Sequence, residues 1–332
     1  KNDPASFRIN YKTPLKFIAS GVNFWIGGGM LDGLTFAKSG GDLTFLNNQV
    51  RLFTEYKLMY RRNTNTLEYL LYPNEWQSAL MNTSVTLGAE AHYRKNKWNG
   101  SVAIQNTSAS LFSDYSYSKL SLTNITRYET GKIDWRLRVF GQYGYGQNVP
   151  MESALYLAGA NPEELMESAW TRSRAFVPYK WLGYGDKTNH FQQGGGLNLR
   201  GYAGYLVPQN IDGEQRYFYR AISGASVSLE IDFDRLISLR PAFTKKWLKA
   251  DLYFFGDAGV IATNNSNKSI QFTNLKSDAG IGTTFTIKKM GRFNAIKPLT
   301  IRCDFPFLLS SAPYAEKDYL KLRYVIGIGR TF

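Results

Sequence analysis

The chain has 332 residues, 43% of them hydrophobic and 15% aromatic, with 40 Lys+Arg against 26 Asp+Glu and a net charge of +14. It is too apolar and too aromatic for a disordered chain. A lone cysteine, Cys303, excludes an internal disulfide or a Cys-rich zinc site, and His92 and His190 stand too far apart for a His-x-x-x-His pair. No run approaches the roughly 18 apolar residues that a spanning helix needs. The opening Lys1-Asn2-Asp3-Pro4 has no signal-peptide pattern and reads as a mature or truncated piece. Two classes remain: a soluble all-β protein or a membrane β-barrel. The basic excess fits nucleic acid, anionic lipid or lipopolysaccharide, or a charged lumen.

In chain order, the dominant signal is period-two alternation. The first strand falls somewhere in Phe7–Ile26. Val50–Tyr60 alternates Val50, Leu52, Tyr56, Leu58 and Tyr60 against Arg51, Phe53, Glu55, Lys57 and Met59. Val85–Tyr93 alternates apolar positions against Thr86, Glu90 and His92. Lys132–Tyr145 sets Ile133, Trp135, Leu137 and Val139 against Asp134, Arg136 and Arg138. Such strands have two unlike faces.

Between Gly146 and Arg220 the alternation stops. A break of this length is too long for a hairpin connection and points to a functional segment, residues 147–220, inside a single domain 1–332. Asn161-Pro162-Glu163-Glu164 predicts a helix start: Asn caps, Pro takes the first turn, and the acids meet the helix dipole. Gly194-Gly195-Gly196 then precedes Leu199-Arg200-Gly201-Tyr202. Consecutive glycines permit positive φ and close backbone approach, so an ordered loop is expected. A single Arg among Gly and aromatic residues suggests one bidentate or stacking contact.

Five strands are expected after residue 220: Ser226–Phe233, Lys249–Ile261, Asp278–Ile287, Leu299–Phe307 and Leu322–Phe332. In the last, Leu322, Tyr324, Ile326 and Ile328 share a face with Arg330 and Phe332, opposite Arg323, Val325, Gly327, Gly329 and Thr331. About ten or eleven more fit upstream, giving a transmembrane antiparallel barrel of about 16 strands with the long loop folded into the lumen. A soluble sandwich fits each strand singly, with its apolar face inward. It fits the set poorly, because almost no helical pattern exists to cover a sheet and the apolar faces are long and rich in Tyr, Trp and Phe. A barrel inverted for lipid accounts for both.

Leu199-Arg200-Gly201-Tyr202 resembles the Arg-Gly-aromatic motif of an extracellular loop in the BamA-type superfamily of outer-membrane assembly and secretion barrels. The later motifs follow the family's order: Ser226-Val-Ser-Leu-Glu230-Ile, Phe254-Phe-Gly-Asp257-Ala-Gly259, Asp278-Ala-Gly280-Ile-Gly282, Ile301-Arg-Cys-Asp304-Phe-Pro306, and Ile326-Gly-Ile-Gly-Arg-Thr-Phe332. The resemblance covers about the last 140 residues, the first 180 offering only compatible strand pattern. It implies a loop turned into the lumen, with Arg200 meeting acids on the wall. Parity puts Asp257 with Asp251, Tyr253 and Phe255, and Glu230 on the polar face of its strand, so both point inward. Arg200, Gly201, Tyr202, Glu230 and Asp257 thus form an expected lumen latch, in which Glu230 alone matters less. A purely structural latch and a role in transport are compatible. Gly327, Gly329 and Phe332 mark an expected closure seam, weakened by its glycines, where a client strand could pair with the exposed edge.

Other motifs carry less. Gly183-Tyr-Gly185-Asp-Lys187-Thr188 lacks phosphate-loop spacing, Gly280-x-Gly282 lacks the third glycine of a dinucleotide site, and Ser228 stands where a nucleophile elbow needs Gly. No catalytic constellation, metal site or cofactor is expected. The basic residues alternate inside strands, which disfavours nucleic acid. The expected setting is the bacterial outer membrane, with lipid, lipopolysaccharide and possible client polypeptides or envelope subunits as partners. The resemblance implies insertion or translocation of polypeptides. The alternatives are a barrel anchoring or exporting an upstream peptidase- or phospholipase-like domain, and a passive porin. For the anchor, Trp181–Gln192 is similar to barrels that follow zinc-aminopeptidase-like domains in Bacteroidota, and the absence of repeat domains here counts against an assembly role.

Overall fold

The computed structural model describes residues 7–14, 21–31, 33–62, 70–168, 170–174, 177–183, 189–211, 213–233, 236, 248–264, 270–287, 299–314 and 316–332. Before the long loop run β1 (Phe7–Pro14), β2 (Val22–Leu31), β3 (Leu34–Phe45), β4 (Val50–Arg61), β5 (Met81–Lys95), β6 (Trp98–Ala109), β7 (Ser116–Glu129) and β8 (Asp134–Asn148). The loop holds β9 (Leu155–Tyr156), α1 (Pro162–Glu167), β10 (Val207–Ile211), β11 (Glu214–Phe218) and β12 (Arg220–Ala221). After it come β13 (Ser223–Asp232), β14 (Leu248–Asn264), β15 (Ile270–Phe272), β16 (Lys276–Ile287), β17 (Leu299–Leu309) and β18 (Val325–Ile328).

One antiparallel sheet of 14 strands contains all but the loop pieces, in the order β1 to β8, then β13, β14, β16, β17 and β18, with β15 pairing β14. The long loop is therefore an insertion between strands that pair directly, since β8 and β13 run together from Asp134↔Asp232 to Gln142↔Gly224. Eight strands precede the loop among the described residues, where ten or eleven were expected. Individual strands of up to 15 residues absorb the chain that the expectation had divided further.

The apolar rows point outward. Leu87 is 59% exposed and Phe254 49%, and Leu52, Ile104, Leu122, Val139 and Val227 share that face of the sheet. The alternate positions are buried and polar: Arg138, Ser226, Ser228, Glu230, Asp257, Thr284, Arg302 and Asp304. This is the inversion that hydrocarbon demands, with the greasy face to lipid and the backbone satisfied strand to strand. Trp98, Tyr128 and Trp135 are cross-strand neighbours on β6, β7 and β8, with the first two rings 4.4 Å apart. They make an aromatic band at one end of the sheet, where such rings anchor a barrel at a membrane interface. At that end the connections 46–49, 96–97 and 130–133 are short and 233–247 and 288–298 are longer; the opposite end carries 62–80, 149–222 and 310–324.

Two local features change the expected parity. Between Ala279 and Gly280 the β16–β17 register slips, so Ala279 faces Leu308 and Gly280 faces Pro306. The bulge accommodates Pro306, which has no N–H for a regular ladder. It also turns Leu309 into the lumen and leaves Leu308 outside. The last strand is shorter than the expected Leu322–Phe332: β18 ends at Ile328, and Gly329 takes φ +83°. Only a residue that tolerates the left-handed region turns the chain here. The segment after it bends inward, which corrects the placement of Arg330 on the outer face.

Candidate functional site: the lumen loop and its arginine

The loop is built to stay ordered inside a polar lumen. Asn161 caps α1 as expected: its side chain accepts from Glu164 N at 2.8 Å, and Glu164 returns the bond to Asn161 N at 2.9 Å. Here α1 rests against β3 and β4. Lys57 on β4 reaches Glu163 at 2.9 Å and Glu167 at 3.6 Å. Burial pushes the Glu163 carboxyl up, but Lys57 and Lys119 more than reverse this and hold it at about 2. On the far side, Leu155, Leu157, Leu197, Leu199, Tyr202 and Val207 pack with Phe140, Ile261 and Leu309 of the wall. The loop thus touches the wall on both sides, through ion pairs at β4 and through its own apolar residues at β8, β14 and β17.

Arg200 sits in a single 3-10 turn, Arg200–Tyr202, and is fully buried. Its Nε donates to Asp257 Oδ2 at 2.7 Å and a terminal nitrogen to Oδ1 at 3.0 Å, a bidentate fork. The other terminal nitrogen donates to Glu230 Oε1 at 2.8 Å and to Thr331 Oγ1 at 3.3 Å, with Asp304 at 3.7 Å. The guanidinium also lies 3.9 Å from the Phe255 ring centroid. Burial alone would favour loss of its proton, and the surrounding carboxylates reverse that, so the group stays charged. Gly201 follows because a Cβ there would lie 2.7 Å from the Cβ of Asp278. The Tyr202 hydroxyl accepts from Ser311 N at 3.1 Å and lies 3.2 Å from Ser311 O, tying the turn to the segment after β17. All five residues of the expected latch therefore meet at one place.

The seam residues do not form such a cluster. Gly327 is buried against Arg302, where a side chain would collide with the guanidinium and with Gln192 O. Gly329 makes the inward turn, its N–H bonded to Thr300 O at 2.8 Å. Phe332 is half-buried. Among the described residues β1 and β18 stand at opposite ends of the strand order and do not pair.

Several members of the network escaped the sequence reading. Arg330 donates to Glu230 at 2.9 Å, binds Asp232, and lies 4.8 Å from the Tyr253 ring centroid. Glu230 therefore bridges two guanidinium groups. Arg302 binds Asp304 and the backbone of Gln192, the latter at 2.7 Å. Alternation along Leu299–Phe307 sets Arg302 and Asp304 on the face opposite Ile301, Cys303 and Phe305, whereas nothing in sequence announces the kink that turns Arg330. Glu152 in the loop is buried, accepts from Asn82 at 3.0 Å, and is pushed by burial up to about 7. The Gly183–Thr188 segment lies mostly outside the described residues. Among the described residues no group of three or more His, Cys, Asp or Glu side chains could hold a metal ion.

An apolar exterior, a polar lumen and a loop pinned inside it by a buried arginine define a transmembrane β-barrel of the outer-membrane kind. No family model and no curated protein matches the sequence. Solved structures do. BamA from Haemophilus ducreyi, in a form lacking POTRA domains 1–3, superposes with a TM-score of 0.50 at 13% identity, covering 97% of this chain and 62% of that one. CdiB from Escherichia coli gives a TM-score of 0.45 at 10% identity, over 96% of this chain and 59% of that one. The chain shares the fold of the BamA barrel, and it spans about three fifths of the length of these two proteins.

Proposed function

We propose that this chain is the barrel of a BamA-type protein of the bacterial outer membrane and that it inserts or translocates polypeptides there. The observation that carries the reading is the Arg200 turn: a loop drawn into the lumen and fixed by Asp257 and Glu230 inside a barrel with an apolar exterior. A wide passive pore has no use for a loop pinned inside its lumen, so a porin fits less well. The latch keeps the resting barrel ordered and closed to solutes. The end that carries 62–80, 149–222 and 310–324 faces outward from the cell, as the longer loops do in barrels of this kind.

The test is reconstitution. The chain in liposomes is given an unfolded outer-membrane barrel client, and insertion is read as the protease-protected, heat-modifiable fraction. A rate several-fold above that of empty liposomes supports the reading, provided Arg200→Ala lowers it. No gain over empty liposomes refutes it, and large steady single-channel openings would favour the porin instead.

A further inference from the structure

The long loop and the β4–β5 connection enclose a cleft at the end of the barrel away from the Trp98 band. None of the latch residues lines it. Its volume is about 440 Å³, within the range of small-ligand sites. Two short turns contribute to its lining. Pro73–Glu75 is a 3-10 turn entered by Tyr72 at φ +54°, and Tyr179–Trp181 is another that follows Pro178. A proline in each restricts the backbone, so little chain entropy is lost when a ligand settles between them.

One wall is already saturated. Glu75 accepts from the Tyr156 hydroxyl at 2.9 Å, the Tyr219 hydroxyl at 3.1 Å and Arg220 at 3.2 Å. The Tyr72 hydroxyl accepts from the side-chain amide of Asn189. Glu75 is the one acid among the described lining residues, and Arg220 neutralises it. A cationic ligand therefore finds no free carboxylate here.

The opposite holds for an anion. Arg174 lines the cleft and has no ion pair among the described residues. Its guanidinium lies 5.8 Å from the ring centroid of Tyr179, a side chain that is 67% exposed. Asn74 is exposed beside it in the lining, and its side chain makes no hydrogen bond among the described residues. Leu182 and Leu206 supply apolar surface. A wholly apolar ligand would strip water from Arg174 and Asn74 and return no hydrogen bond. A sugar carrying an acidic group meets all of these demands. Its C–H face stacks on an aromatic ring, its hydroxyls pair with an amide, and its acid takes the guanidinium fork.

We propose that this cleft binds an anionic saccharide, with the carboxylate or phosphate on Arg174, a pyranose face on Tyr179 and hydroxyls toward Asn74. The site needs no client polypeptide. It rests on the outward placement of this end only for the source of the sugar, which is either the lipopolysaccharide of the outer leaflet or a free acidic glycan.

The experiment is titration calorimetry on the full chain in detergent. The probe is a glucuronyl-glucose disaccharide, with the neutral glucosyl-glucose disaccharide as its control, and heat-modifiability confirms that each variant is folded. The acidic probe should bind more tightly than the neutral one, and high salt should weaken only the acidic probe. Arg174→Ala should weaken it about ten-fold, with Arg174→Lys between the two. Tyr179→Ala should weaken both probes several-fold, and Leu206→Trp, which fills the cleft, should abolish binding. Equal affinity for the two disaccharides, unchanged affinity in Arg174→Ala, or no binding of either at millimolar concentration overturns the proposal. Added lipopolysaccharide that competes with the acidic probe supports the lipid-borne source, and binding that survives it supports the free glycan. A chain that binds the acidic probe but inserts no client keeps the cleft and loses the insertion reading. One that inserts client but binds neither probe loses the cleft alone.

Discussion

Removing Arg200 leaves Asp257 buried without the group that neutralises it. Arg200 is the one cation in an ion pair with Asp257 among the described residues, whereas Glu230 keeps Arg330 at 2.9 Å. Breaking a buried pair by deleting one partner costs about 3–5 kcal/mol, and less where water reaches the orphan. The site is dry on the protein's own evidence, since the side chains of Arg200, Glu230 and Asp257 are all shielded from solvent. Arg200→Ala should therefore lose about 3 kcal/mol or more. Arg200→Lys should lose less, since it keeps the charge but forfeits the two-pronged contact. Asp257→Ala should approach Arg200→Ala, softened because Glu230 and Asp304 still surround the guanidinium. The assay is heat-modifiability: the folded barrel migrates differently from the boiled chain, and the temperature at which that difference vanishes reports stability. Limited proteolysis should cut within 149–222 in both alanine variants and spare the parent. An unchanged transition temperature and an unchanged digestion pattern in Arg200→Ala and Asp257→Ala together would refute the argument that this contact holds the loop.

Gly201→Ala should cost about 1–3 kcal/mol by overpacking against Asp278 and Leu309, visible as a lowered transition temperature with the loop still protected. Glu152 carries a proton in the folded loop up to about pH 7 but, when unfolded, only to its ordinary value of 4.5. Its contribution is thus most favourable below 4.5, declines as pH rises through that window, and by pH 8 amounts to about 3 kcal/mol of destabilisation. Glu152→Gln should flatten the pH dependence of stability between 4.5 and 7, and an unaltered slope would count against a buried neutral carboxyl. Arg330→Ala should free the C-terminal turn, read as faster trimming by carboxypeptidase, because it releases Glu230 and Asp232 together. Leu87→Arg, in the middle of β5 and facing outward, should lose about 2–4 kcal/mol of bilayer insertion, while Thr86→Arg, which lines the lumen, should insert normally.

Much of this molecule is legible in one dimension because a strand has a period of two and a membrane has a fixed polarity. Alternation along Val50–Tyr60 and Leu299–Phe307 is enough to name which side chains meet water and which meet hydrocarbon, given the lack of helices to cover a sheet. The Asn161 cap and the Arg200–Gly201–Tyr202 turn were equally readable, since each depends on residues adjacent in sequence. Glu230 and Asp257 followed from parity. What parity cannot supply is distance through space or a change of its own phase. The bulge at Ala279/Gly280 reverses which of Leu308 and Leu309 faces the lumen, and Gly329 at φ +83° sends Arg330 inward against the alternation that precedes it. The pairing of Phe191 with Ile326 lies further still from sequence, for it joins residues 135 positions apart through backbone groups that every amino acid carries alike. Side-chain chemistry, written in the order of residues, settled the class of protein. The backbone's hydrogen bonds, which order alone does not record, settled where its loop meets the wall.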